Sequence, residues 1–359
     1  MIRMLPRTSR DVTYLSSDRA LELSGVREGD AGWWIRGSGD WTNERDVEHV
    51  LCATERSSVV GFDLVVAAPR PISILLAVGT HEEQCDVVRA HRDAVASAIQ
   101  YLDERGVVTR LQHGGDVRDE QGRWESVVAF THGVNRHSEP HLHDHVLVGS
   151  RPLDSAHALD SRSLNVHLEA ADALYRASLR IDIRERTGRN IWRSFQGVEH
   201  VEGVDSGHRT LWPGHHRERG EKHHWSRDDA TSSWGRDLEH YEAEFEPQRP
   251  SRDPNELDEH VFGGHFEGQL RVTRRDIVTA FANAATFGAR ASDVTGMVDE
   301  LYPTLRTSRG IREEGIGVPQ ARQIDDVRRH GPRPTKEMDL DAWRQRARSL
   351  DRSYGDRSR

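Results

Sequence analysis

The chain has 359 residues, 35% hydrophobic and 30% charged, which suffices for two modest domains or one large domain with a polar remainder. Net charge is −9, so any nucleic-acid partner must meet a local basic stripe rather than a basic whole. No run approaches the roughly 18 apolar residues of a membrane span, and the N-terminal MIRMLPRTSRDVTYLSSD lacks the apolar centre of a secretory signal. The only lysines, Lys222 and Lys336, lie outside any Gly-Lys-Ser/Thr triplet, which excludes a P-loop motor. Cys52 and Cys85 match no metal or redox spacing and read as neutral thiols of a reducing cytoplasm.

In chain order, VVGFDLVVAA over 59–68 predicts a short buried strand, with Pro69 and Pro71 as a break after it. Val88, His91, Val95, Ile99 and Leu102 recur at helical spacing and predict a helix from His81 to Glu104 that Gly106 closes. Gly114–Gly115 and the stretch from Asp119 to Gly122 read as turns. Ser126–Val134 and His141–Ser150, joined by the polar NRHSEP, predict a hairpin. A second amphipathic helix spans Asn165 to Arg186, with Leu168, Ala171, Tyr175 and Leu179 on one face and Gly188 as its stop. A strand over Asn190–Val201 follows.

The order β, α, β, β, α, β is that of the ferredoxin-like split βαβ fold, an α+β palm built on an antiparallel sheet with flanking helices. This gives a core over 1–202 and a polar, flexible insertion over 203–260, where HHRERGEKHH carries His215, His216, His223 and His224 as solvated composition. A helical part over 261–320 opens at Thr273 and Asp276 in a capping-box pattern. A charged, disordered tail occupies 321–359.

The densest chemistry lies in AFTHGVNRHSEPHLHDHVLVG. Alternate residues of a strand share a face, so His141, His143 and His145 project together while Leu142 and Val146 face the other way. His132 comes alongside from the partner strand. Imidazoles converging in this way suit a divalent metal and leave coordination positions open.

Three stretches resemble the conjugative relaxases of the TrwC/TraI (MobF) type, within the His-hydrophobe-His (HUH) endonucleases. GFDLVVAAPRPISILLAVG is similar to the family's strand-and-turn segment, FTHGVNRHSEPHLHDHVLV to its metal-ligand segment, and ADALYRASLRIDIRERTG to the helix backing the site. In the family one ligand precedes the second by eleven residues and the third follows two later, the spacing of His132, His143 and His145. The resemblance runs from about residue 12 to 200, and weakly over 271–301.

That resemblance implies His132, His143 and His145 as metal ligands, with His141 at a non-ligand position. It implies Asp63 as the acid beside a ligand histidine and the nucleophile, and Tyr14, the only tyrosine before Tyr101, as the nucleophile. The implied activity is a metal-dependent, strand-specific nick in single-stranded DNA, leaving a 5′-phosphotyrosyl link and a free 3′-OH, in plasmid conjugation or mobilisation. Magnesium or manganese is the implied ion; nickel, cobalt and zinc also suit the ligands. Arg70, Arg136 and Arg176 are candidates for backbone phosphates. The implied partners are single-stranded DNA at a transfer origin, a separate helicase and coupling proteins, in the cytoplasm and without a membrane.

Departures from the pattern keep other readings open. Leu15 and Leu23 stand where the family places further tyrosines, and Arg70–Pro71 replaces a Lys-Ser pair. These favour a relaxase-like DNA-binding regulator that does not cleave. A rolling-circle replication initiator shares the chemistry, although in many of these the tyrosine follows the histidines. A histidine-metal oxygenase or cupin-like enzyme fits a histidine-rich strand but leaves Asp63 and the Glu139–Pro140 pair without a role.

Overall fold

A computed structural model of the chain describes residues 2–8, 32–36, 50, 59–113, 116–214, 227–241, 249–250, 257–265, 271–301, 306–307, 310–311 and 316–317. Tyr14, Leu15, Leu23, Cys52, the paired histidines at 215–216 and 223–224, and the predicted tail lie outside them.

Among the described residues the centre is an antiparallel sheet of five strands: β1 (Ile2–Thr8), β2 (Gly32–Arg36), β3 (Val59–Ala67), β6 (Val127–Val134) and β7 (Pro140–Gly149), in spatial order β1-β3-β7-β6-β2. The long predicted hairpin is β6–β7, with His132 opposite His143 and Phe130 opposite His145. Strand β7 lies between β3 and β6, which is the split βαβ arrangement. In that pattern a fourth strand occupies the edge beside β3; here β1 takes it. The stretch read as one strand over 190–201 instead folds back on itself as a separate hairpin, β8 (Ile191–Arg193) with β9 (Glu199–Val201). Gly197 at φ 80 makes its turn.

Two helices cover one face of the sheet. Helix α2 (His81–Arg105) starts in a capping box between Thr80 and Glu83, and α4 (Leu168–Thr187) ends at Gly188, which adopts the left-handed conformation. They pack on each other and on the apolar strand positions Leu64, Val66, Leu142, Val146 and Val148. A short helix, α3 (Ser161–Val166), precedes α4.

Three further expectations are corrected. Pro71 does not break the chain but sits in the first turn of a helix, α1 (Arg70–Val78), where a missing N–H costs nothing. The predicted turn at 119–122 belongs to a strand: β4 (Val108–His113) and β5 (Asp116–Gln121) form a polar hairpin. The polar stretch over 203–260 contains α5 (Ser206–Leu211) and α6 (Arg227–Leu238). Trp212 and Trp234, 2% and 5% exposed, join the hydrophobic core from that stretch.

C-terminally, α7 (Glu259–Gly264) leads to α8 (Arg274–Ala284), which opens in the expected Thr273–Asp276 capping box, and α9 (Ala291–Leu301) follows. The fully buried Arg180 of α4 ties this region in. It donates to Glu199 at 2.7 Å and to the carbonyls of Ala282 and Ala285 at 3.0 Å each. No helix among the described residues is long and apolar enough to cross a membrane.

A candidate metal centre on the histidine face of the sheet

Because α2 and α4 cover the face that takes Leu142 and Val146, the alternation of β7 turns His141, His143 and His145 to the opposite face. Pairing across β6–β7 brings His132 to the same face. The ring centroids of His132, His143 and His145 lie 5.1, 5.2 and 5.4 Å apart, close to an equilateral triangle. One ring nitrogen from each lies within 4.8 Å of the other two. His132 Nδ1 is 3.4 Å from His143 Nε2, the separation of two nitrogens each about 2.1 Å from a shared ion at a tetrahedral angle. His141 stands beside the triangle, its ring 4.6 Å from that of His143.

The outer nitrogens of two rings are tied off. His145 Nδ1 donates to both oxygens of Asp63, at 2.9 and 3.1 Å, and His143 Nδ1 donates to the His141 carbonyl at 2.9 Å. Each bond fixes the tautomer and leaves the Nε2 lone pair for a ligand role, the usual arrangement behind metal-bound imidazole. Burial, reinforced by His141, His132 and His145, pushes the His143 pKa well below the ordinary histidine value. His143 is therefore neutral at pH 7, as a ligand must be. His141 falls to about 4, through burial and then the Arg70 charge. Three ring nitrogens drawn together in this way fit a divalent cation.

Asp63 is fully buried on β3, on the histidine face. Burial alone would raise its pKa, but the hydrogen bonds from His145 and Arg7 and the guanidinium charge outweigh it, so Asp63 is held below the usual carboxylate range. The guanidinium of Arg7, on β1, is in direct contact with that carboxylate. Sequence reasoning missed Arg7. The only signal was alternation in IRMLPRT, which puts Arg3, Leu5 and Arg7 on one face of an edge strand.

The three candidate phosphate arginines are not brought together. Arg70 is consumed by the fold: its Nε donates to the Trp212 carbonyl at 2.8 Å, its other nitrogens reach the carbonyls of Pro140 and Trp212, and Glu139 lies 3.4 Å away. Arg176 is on α4, across the sheet from the histidines, with its Nε on Asp172 at 3.0 Å. Arg136 is exposed in the β6–β7 turn, at the end of the hairpin that carries His132 and His143.

That turn is braced from 203–241. Trp234 Nε1 donates to the Ser138 carbonyl at 2.6 Å, Gly214 N to Glu139 at 3.4 Å, and Asn135 Nδ2 to the same carboxylate at 2.6 Å. Glu139 and Pro140, unexplained by a histidine-rich strand alone, thus anchor the start of β7.

A family model described as TrwC relaxase matches residues 13–240. Among solved structures, a copper-bound complex of the conjugative relaxase TrwC with OriT DNA superposes with a TM-score of 0.53 at 18% identity, covering 67% of this chain and 98% of that one. A metal-bound complex of TrwC with OriT DNA gives the same values. TrwC with a 27-mer comprising the recognition hairpin and the cleavage site gives 0.51 at 17% identity, with the same coverage. A comparison with curated proteins returns no match.

Proposed function

The chain belongs to the TrwC relaxase family, and on that footing we propose that it is a metal-dependent nickase of single-stranded DNA that uses Tyr14 as its nucleophile. The observation that carries this reading is the triangle of His132, His143 and His145, with the outer nitrogens of His143 and His145 already engaged. A role in binding DNA alone gives no reason for three converging imidazoles. The solved TrwC complexes, which hold OriT DNA and in some cases metal, support extending DNA and a divalent ion to this chain.

In this mechanism the Tyr14 oxygen attacks the scissile phosphorus. The bond to the 3′ oxygen breaks, the 5′ phosphate stays on Tyr14, and the proton that the phenol gives up is matched by the one that the leaving 3′ oxygen takes up. Half-ionising a phenol of ordinary pKa near 10 at pH 7 costs about 4 kcal/mol. When bound by the three histidines, a divalent ion, magnesium or manganese by preference, supplies positive charge that offsets the phosphate's own and favours the phenolate.

His132, His143 and His145 hold that ion as neutral donors, so its full charge is kept. Asp63 orients His145; with its carboxylate committed to His145 and Arg7, it does not serve as proton acceptor. Arg136 at the hairpin turn, with Arg3 along β1, offers cations to the phosphate backbone on the histidine face. The phosphotyrosyl ester conserves the energy of the broken bond, so the strand can be resealed. The setting is conjugation or plasmid mobilisation in the cytoplasm, with a separate helicase and coupling proteins as partners.

The test is a covalent adduct. Incubated with manganese and single-stranded DNA carrying its element's transfer origin, the protein forms a species that survives boiling in detergent. Tyr14→Phe abolishes it while DNA affinity stays within a few-fold. Wild type that binds this DNA but yields no adduct with magnesium, manganese, cobalt, nickel or zinc would make the chain a non-cleaving regulator.

A further inference from the structure

The helix side of β7 carries one residue that packing does not call for. Between Leu142 and Val146 stands Asp144, and all three are fully buried. An aliphatic residue would fill this position without the several kcal/mol that burying a charge costs. The carboxylate is instead surrounded by donors. Trp33 Nε1 of β2 donates to Oδ2 at 3.1 Å, and His91 Nε2 of α2 donates to Oδ1 at 3.2 Å. The Thr131 hydroxyl of β6, directly opposite in the ladder, also bonds to it.

A second layer supports the first. Tyr175 of α4 donates its hydroxyl to His91 Nδ1 at 2.8 Å, which fixes the imidazole with its proton on Nε2. Arg92 Nε donates to Thr131 Oγ1 at 3.1 Å. One carboxylate thus joins three strands to both helices.

Its place in the chain gives this network a consequence. Asp144 lies between His143 and His145, and Thr131, its partner across the ladder, adjoins His132. Every member of the imidazole triangle is therefore a chain neighbour of the Thr131–Asp144 pair. A slip of β7 by one residue exchanges the two faces of the strand. It would drive His143 and His145 toward the helices and leave Trp33, His91 and Thr131 facing an imidazole.

We propose that Asp144 is a positioning residue, whose buried hydrogen bonds hold β7 in the register and at the depth that bring His143 and His145 up to His132. This rests on the reading of those three histidines as a metal site. Stability alone does not account for the network, since an all-apolar cluster at these positions would fill the same space without burying a charge.

The test separates site geometry from folding. Asp144→Leu, Trp33→Phe and Thr131→Val are compared with wild type by three readouts: the urea midpoint of the metal-free protein, manganese affinity by calorimetry, and the visible spectrum of the cobalt-loaded protein. Asp144→Leu is expected to lower the urea midpoint, because it leaves three buried donors without an acceptor, and in the protein that still folds to lose about tenfold in manganese affinity, with altered cobalt bands. Trp33→Phe and Thr131→Val lose about threefold each, since each removes one of the three donors. Folded Asp144→Leu with the wild-type affinity and spectrum overturns the proposal. Should that variant not fold, unchanged affinity and spectra in the other two overturn it equally. Wild type that binds no ion would instead refute the metal reading itself.

Discussion

Replacing Asp63 with Asn probes the link between β3 and the imidazole triangle. Asp63→Asn keeps the side chain's shape and removes its charge. The carboxylate meets donors on both sides, His145 Nδ1 at 2.9 and 3.1 Å and the guanidinium of Arg7. A carboxamide has a single acceptor oxygen, so whichever donor that oxygen faces, the amide NH2 is turned toward the other. One charge-assisted contact is lost, a cost of about 2 kcal/mol. Arg7 is 21% exposed, so water recovers part of its share. Manganese affinity should fall 10- to 100-fold, about 1.4–2.8 kcal/mol, through the loosened His145.

The assays are urea unfolding in chelator and calorimetric titration with manganese. Arg7→Ala serves as the control, since it keeps the His145 contact and should cost less metal affinity than Asp63→Asn. The pH dependence has a definite sign. The folded carboxylate titrates below its ordinary value, because His145 and Arg7 outweigh burial. Its stabilisation is thus present above about pH 4 and is lost as pH falls through the folded pKa. Asp63→Asn should flatten that acid limb. Unchanged manganese affinity in Asp63→Asn would refute the claim that this carboxylate orients a ligand.

Two further perturbations test the surroundings. Arg70→Ala leaves Glu139 buried without its cation and two carbonyls without a donor, so urea unfolding should show a loss of about 3–5 kcal/mol; a stable variant weakened only in DNA binding would return Arg70 to the phosphate contacts. Burial lifts the Asp182 pKa to about 6, so its ionisation costs the fold stability above pH 6, and the cost is relieved as pH falls toward 4. Asp182→Asn should therefore raise the melting temperature at pH 8, by at most about 3 kcal/mol of stability, and do nothing favourable at pH 4. Equal melting temperatures at pH 8 would show that the contact with Arg290 at 3.4 Å already offsets the burial.

The parts of the fold legible in the sequence are those whose signals are local. The β6–β7 hairpin declares itself by alternation, α2 by five apolar-stripe positions, and α8 by its cap at Thr273. Strand alternation and hairpin pairing also place four histidines on one face, but that His141 stands outside the triangle was legible only through the family resemblance. The polar hairpin β4–β5 escaped because DVRDEQ is exposed on nearly every residue, so no face is marked by apolarity. Helix α1 escaped because Pro71 reads equally as a break and as a first-turn residue.

Long-range partners escaped for a different reason. Nothing in HLHDHV says that Asp144 meets His91, 53 residues away, or that Arg70 spends its guanidinium on Trp212, 142 residues away. His91 was visible only as a position on an apolar stripe. The brace on the β6–β7 turn was hidden by composition, since Trp212 and Trp234 are single aromatic anchors in a stretch dominated by charge.

The central claim is that His132, His143 and His145 together hold one divalent ion. Diffraction from crystals grown with manganese, recorded where manganese scatters anomalously, tests it most directly. The account predicts one anomalous peak per chain within about 2.3 Å of a nitrogen from each of the three rings, and none in crystals of His143→Ala. A triangle without a peak, or a peak held by His141 in place of one of the three, would contradict it.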